Sequence, residues 1–220
     1  MSDVALRLDA QTKGFNLLEH PFYVAWSEGR LTIEDLSFYS EQYFRQVEAF
    51  PSWLSTLAGR LPQGEAQSIV KENLADEVGG DHPGLWLTFA GALGVDADLV
   101  RASEVEPETS SCVEAFADAA DNASLPFALG MLYGYESQTP AVAATKIEGL
   151  KTHYGIEGPG ARYFELHGEL DVEHSAEMAR AIADMCTDDA DLAEAEEGAR
   201  AGAAAIWRLL DGVARVRQVA

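Results

Sequence analysis

Positive charge is the scarcest feature of this chain. Its 220 residues carry 15 Lys and Arg against 37 Asp and Glu, for a formal net charge of −22. A surface so acidic repels phosphate backbones and anionic bilayers, which argues against nucleic acid and membrane as partners. Cysteine is nearly missing. Cys112 and Cys186 form neither a CxxC pair nor a disulfide framework, as expected in a reducing cytosol. No apolar run reaches the length of a membrane span, and residues 1–11 lack a basic stretch leading into an apolar one. A soluble, cytoplasmic protein is expected. Period-two alternation, the mark of strands, is also absent.

What remains is helical periodicity almost from end to end, with 47% hydrophobic residues to fill a core. No repeat, linker or change of composition divides the chain, so residues 1–220 read as a single all-α domain, a bundle of about seven to nine helices. Residues 4–19 read as one helix ended by His20-Pro21, followed by a short helix that stops at Gly29. Thr32 reads as the N-cap of a long helix, with Glu34 and Asp35 in its first turn. Pro51 is expected to kink or break that helix. Its stripe of Tyr39, Tyr43, Phe44, Val47 and Phe50 reads as core packing. Later helices are expected over 63–78, 96–101, 107–121, two stretches meeting at Thr139-Pro140, about 162–186, and 188–216.

The segment RYFELHGELDVEHSAEMAR carries chemistry. His167, Asp171 and His174 stand at i, i+4 and i+7, which places three side chains within roughly 60° on one helical face. Imidazole plus carboxylate is a ligand set suited to iron, manganese or zinc. The plainer alternative is a solvated polar face, since Glu165, Glu169, Glu173 and Glu177 surround them. Glu136 lies at the end of an apolar helix, where an unpaired carboxylate is costly to bury. Glu77 and His82 flank Gly79-Gly80. On an unbroken helix they would diverge by about 140°, but the glycines let His82 turn back towards Glu77. Asp76 and Asp81 are rival acids there, with Asp81 suited to capping the next helix. Together, Glu77, His82, Glu136, His167, Asp171 and His174 supply the three carboxylates and three imidazoles that a two-metal carboxylate site uses.

Over roughly residues 17–211 the sequence resembles the self-sacrificing 4-aminobenzoate synthases, the family of the chlamydial protein associating with death domains, within the haem-oxygenase-like dimetal oxidases. The resemblance is carried by LEHPFYVAWSEGRLTIEDL, YFRQVEAFPSWLS, NLADEVGGDHPGLW, LYGYESQTPAVAATKIEGL and HGELDVEHSAEM. It implies a haem-oxygenase-like bundle holding two iron ions, or iron with manganese, on the six residues just named. The loop between Glu77 and His82 reads as shorter than the family's. It further implies that dioxygen is the co-substrate, that an external reductant is needed, and that the protein's own side chains are the precursors. Tyr23 matches the tyrosine that gives the aromatic ring, and Lys146 the lysine that gives the amine. Tyr135 matches a tyrosine of radical transfer, with Tyr43 a further candidate. A homodimer fits such bundles, though no residue pattern requires it.

Each of these residues also has a structural reading: Tyr23 as a packed aromatic, Tyr135 as a core tyrosine, Lys146 as a snorkelling cation. A second enzymatic reading keeps the two metals and gives them an external small-molecule substrate. Cofactorless quinone-cofactor synthases and thiamin-degrading enzymes share this kind of bundle. The latter need a cysteine nucleophile in the pocket, and neither cysteine lies in the motif blocks. An adaptor role would leave the six ligands without work, and nothing in the sequence points to a death-domain partner.

Overall fold

The computed structural model describes residues 3–220. It is built from eleven α-helices, nine of ten residues or more and two short ones, and no strand occurs among the described residues. In chain order they are α1 Asp3–Thr12, α2 Pro21–Ser27, α3 Ile33–Arg60, α4 Glu65–Gly79, α5 His82–Ala92 and α6 Ala97–Ala102. Then follow α7 Pro107–Asn122, α8 Leu125–Glu136, α9 Thr139–Gly149, α10 Arg162–Met185 and α11 Asp189–Arg217. The helices close around one continuous hydrophobic core. Among the described residues, no helix is long and apolar enough to cross a membrane.

Local chemistry accounts for most boundaries. Thr32 and Asp35 form a reciprocal capping box: the Thr32 N–H donates to Asp35 Oδ2 at 2.8 Å and the Asp35 N–H to Thr32 Oγ1 at 3.2 Å. Proline occupies the first or second position of α2, α5, α7, α8 and α9, where its missing N–H removes no helical bond. Asp81 caps α5 by accepting from the Gly84 N–H, and holds a left-handed backbone to do so.

One expected helix is cut short and one expected break does not occur. The helix expected over 4–19 ends at Thr12, and two 3₁₀ turns, Lys13–Phe15 and Leu17–Glu19, replace the rest. Gly14 disfavours helix there, and the Asn16 side chain accepts from the Leu18 N–H, starting a fresh turn. Pro51 does not break α3, which runs unbroken through it. Val47, Phe50, Trp53 and Leu54 are buried on either side, so packing outweighs the single lost hydrogen bond.

Helices α4, α5, α8 and α10 meet around the interior that carries the candidate ligands. The position of α8 is fixed by an unusually close approach to α11. A Cβ on Gly130 or Gly134 would lie 2.1 Å from the carbonyl oxygen of Ala195 or Ala199. Gly198 and Gly202 of α11 press on the α8 backbone in the same way. Four glycines therefore let two backbones touch.

Candidate metal centre

Helix α10 turns His167, Asp171 and His174 inward at 4%, 3% and 4% exposure, while Glu169 and Glu173 face solvent. The solvated-face alternative is thereby removed. The six predicted ligands form two buried trios, Glu77–His82–His167 and Glu136–Asp171–His174. Within each trio, one ligand atom per residue lies within 4.8 Å of the others. A cavity of about 10 Å³ lies between them, walled by Glu77, Glu136, His167 and Asp171 with Val47, Phe50, Tyr135 and Tyr163.

The turn at Gly79-Gly80 brings His82 back as expected, despite the short loop. His82 Nδ1 stands 2.6 Å from Glu77 Oε2, yet the contact lacks hydrogen-bond geometry, and both ring nitrogens of this buried imidazole are otherwise unpartnered. Glu77 Oε1 faces His167 Nε2 at 3.8 Å. His167 Nδ1 lies 2.7 Å from the Tyr163 carbonyl oxygen, which can only accept, so Nδ1 carries the proton and Nε2 presents a lone pair. In the second trio, His174 Nε2 lies 3.2 Å from Asp76 Oδ2 and donates to it, leaving Nδ1 to face Asp171 Oδ1 at 3.6 Å. Asn73 Nδ2 donates to Glu136 Oε1 at 2.7 Å, and Glu136 Oε2 is left without a partner.

Buried acceptor atoms aimed at a shared volume fit bound cations, and mixed imidazole and carboxylate donors fit first-row transition metals. The electrostatics agree. Burial works to raise the Glu77 carboxyl, but the imidazoles of His167 and His82 outweigh it and hold it near 2. Burial, reinforced by the Asp171 charge, pushes Glu136 well above the usual carboxylate range. Burial works to lower His174, yet Asp171 and Glu136 raise it to about 9. Glu77 is thus held as a carboxylate by the imidazoles of its own trio, and His174 as a cation by the carboxylates around it.

Beside this centre stands a cage of aromatic rings around Lys146. Its Nζ donates to the Tyr39 hydroxyl at 2.7 Å, and the Tyr39 and Tyr23 hydroxyls are 3.2 Å apart. The same Nζ lies 5.0 Å from the centre of the Tyr23 ring, 5.1 Å from that of Tyr43 and 4.9 Å from that of Phe164. Lys146 is therefore buried rather than snorkelling, and burial lowers its pKa to about 7. Burial also raises the phenols of Tyr23, Tyr39, Tyr43, Tyr135 and Tyr163, which stay protonated.

A second cavity of about 10 Å³ adjoins the cage and shares Tyr135, Tyr163 and His167 with the first. The Tyr163 ring stacks on the His167 imidazole with centroids 4.0 Å apart. All four predicted reactive residues, Tyr23, Tyr43, Tyr135 and Lys146, thus converge near the trios. Sequence reasoning passes over Tyr39, which reads as core, and Tyr163, which stands four residues before His167 on the ligand face. Of the rival acids, Asp76 orients His174 and Asp81 caps α5, and neither belongs to a trio. Cys112 is buried against Gln46, belongs to neither trio and lines neither cavity, with burial pushing its thiol up.

Comparison with known proteins agrees with this geometry. Residues 37–207 match the family model described as iron-containing redox enzyme. A 4-aminobenzoate synthase of Nitrosomonas europaea is 36% identical over 94% of this chain and 89% of its own. A 4-aminobenzoate synthase of Chlamydia muridarum is 38% identical over 84% of this chain and 80% of its own. The crystal structure of a TenA homologue from Pseudomonas syringae superposes with a TM-score of 0.85 at 16% identity, over 97% of this chain and 93% of that one, which shows the shared fold. The chain belongs to the haem-oxygenase-like family of iron-containing redox enzymes.

Proposed function

We propose that this protein makes 4-aminobenzoate, a folate precursor, in an oxygen-dependent reaction that draws the ring from Tyr23 and the nitrogen from Lys146. Its similarity to enzymes named 4-aminobenzoate synthase supports the product. The observation that carries the internal source is the size of the interior. The cavities beside the trios and beside Lys146 are each about 10 Å³, room for a water-sized molecule and none for an amino acid. Tyr23 and Lys146, by contrast, already stand together in the cage beside them.

Two metal ions on Glu77, His82 and His167 and on Glu136, Asp171 and His174 would supply the oxidant, activating dioxygen with electrons from an external reductant. The side chains do the rest. Protonated phenols of Tyr135 and Tyr163, set between the trios and the cage, lose a proton and an electron together rather than ionising first. Lys146, held near neutral by burial, offers an amine lone pair at physiological pH. Tyr39 binds that amine and the Tyr23 hydroxyl at once, and so fixes the nitrogen over the ring.

The test is product per chain in protein loaded with iron, or with iron and manganese, and given dioxygen and a reductant. At most one 4-aminobenzoate per polypeptide is expected, falling about 100-fold or more in Tyr23→Phe. Many turnovers per chain, or an undiminished yield from Tyr23→Phe, contradicts the internal source.

A further inference from the structure

A product assembled from Tyr23 and Lys146 is freed inside the bundle, beside a cavity far smaller than itself. It has to leave. A surface cleft of about 430 Å³ lies between the 3₁₀ turns that follow α1 and the junction of α8 with α9. Cleft and cavity share Val142 as a wall, and the neighbouring pairs Leu17–Leu18 and Gln138–Thr139 divide between them. One layer of side chains separates the two.

Leu17, 3% exposed, is the part of that layer carried by a short turn rather than a long helix. Its N–H donates to Gln138 Oε1 at 2.8 Å, and Gln138 Nε2 donates back to the Gly134 carbonyl at 3.3 Å. The YESQTP block thereby has a further role, since Glu136 and Tyr135 serve the centre while Gln138 pins the turn. A 3₁₀ turn held by a side chain is easier to displace than an α-helix.

The mouth suits an anion with an apolar body. Lys13 is exposed and makes no ion pair among the described residues, in a chain of net charge −22. The Ser137 hydroxyl is buried and has no hydrogen-bond partner. Glu19, the acid on the cleft, is engaged by Asn16 Nδ2 at 2.9 Å. Leu18 and Val142 supply apolar wall.

We propose that this cleft is the exit site for an aromatic carboxylate, with Leu17 as its plug and Gln138 as the latch. The inference rests on the function proposed above. In the metal-loaded chain, total 4-aminobenzoate is measured after acid quenching, and the free fraction after rapid filtration at matched times. The free fraction is expected to lag the total. Gln138→Ala should shorten that lag about fivefold, the effect of one lost hydrogen bond, and Leu17→Trp should lengthen it. Identical lags in all three chains overturn the gate.

The metal-free chain is titrated separately with 4-aminobenzoate. Lys13→Glu should weaken binding at least about fivefold. Equal affinity, or no binding to the unaltered chain, overturns the exit site. A metal-loaded chain that forms no 4-aminobenzoate counts against the proposed function alone, and the titration still decides the cleft.

Discussion

The Asp76–His174 contact shows how a residue outside the trios sets the chemistry within one. Asp76 is half exposed, so as an ion pair it contributes little to stability. Its effect is to hold the proton on His174 Nε2, which leaves Nδ1 free to bind a metal. Asp76→Ala should therefore lower metal affinity at Glu136–Asp171–His174 by about 10–100-fold with little change in stability, measured by metal titration and thermal melting. Unchanged affinity would deny it that role. Lys146 gives a second test. Below about 7 both folded and unfolded chains bind its proton, but between about 7 and 10.5 only the unfolded chain does. Its burial thus costs stability at neutral pH, and the cost fades as pH rises through that window. Metal-free Lys146→Met should exceed the unaltered chain by roughly 3 kcal/mol at pH 7 and converge with it near pH 10, read from urea unfolding. A difference independent of pH would refute the shift.

At the scale of helices, the α8–α11 approach is what holds Tyr135 and Glu136 in place. Gly134→Ala would set a methyl 2.1 Å from a backbone oxygen that has no flexible way to yield. A loss of about 3 kcal/mol is expected, with weaker metal binding through Glu136 two residues on. Gly59→Ala in α3 meets nothing within 4 Å and should be neutral or mildly stabilising. Equal melting temperatures for the two variants would contradict the packing. The caps at Thr32 and Asp81 were legible because each is a local match between a side chain and nearby N–H groups. The continuity of α3 through Pro51 was not, because it depends on burial by distant helices. The break at Gly14–Asn16 is not legible, because apolar spacing alone carries on through it while the Asn16 cap acts over two residues.

For the whole molecule, six residues spread from Glu77 to His174 converge because α4, α5, α8 and α10, which carry them, are folded together by the bundle. Less legible was what lies between the blocks. Tyr39 and Tyr163 looked like core because they are core, and only the position of Lys146 shows that the same packing poises an amine over a ring. Asn73 and Asp76 lay hidden for another reason: a polar residue that orients a ligand has no spacing of its own. The most direct measurement is isotopic. Protein grown with ring-¹³C tyrosine and side-chain-¹⁵N lysine, then loaded with metal and exposed to dioxygen in unlabelled buffer, should release 4-aminobenzoate carrying both labels. Unlabelled 4-aminobenzoate, or label from only one of the two residues, would contradict an origin in Tyr23 and Lys146.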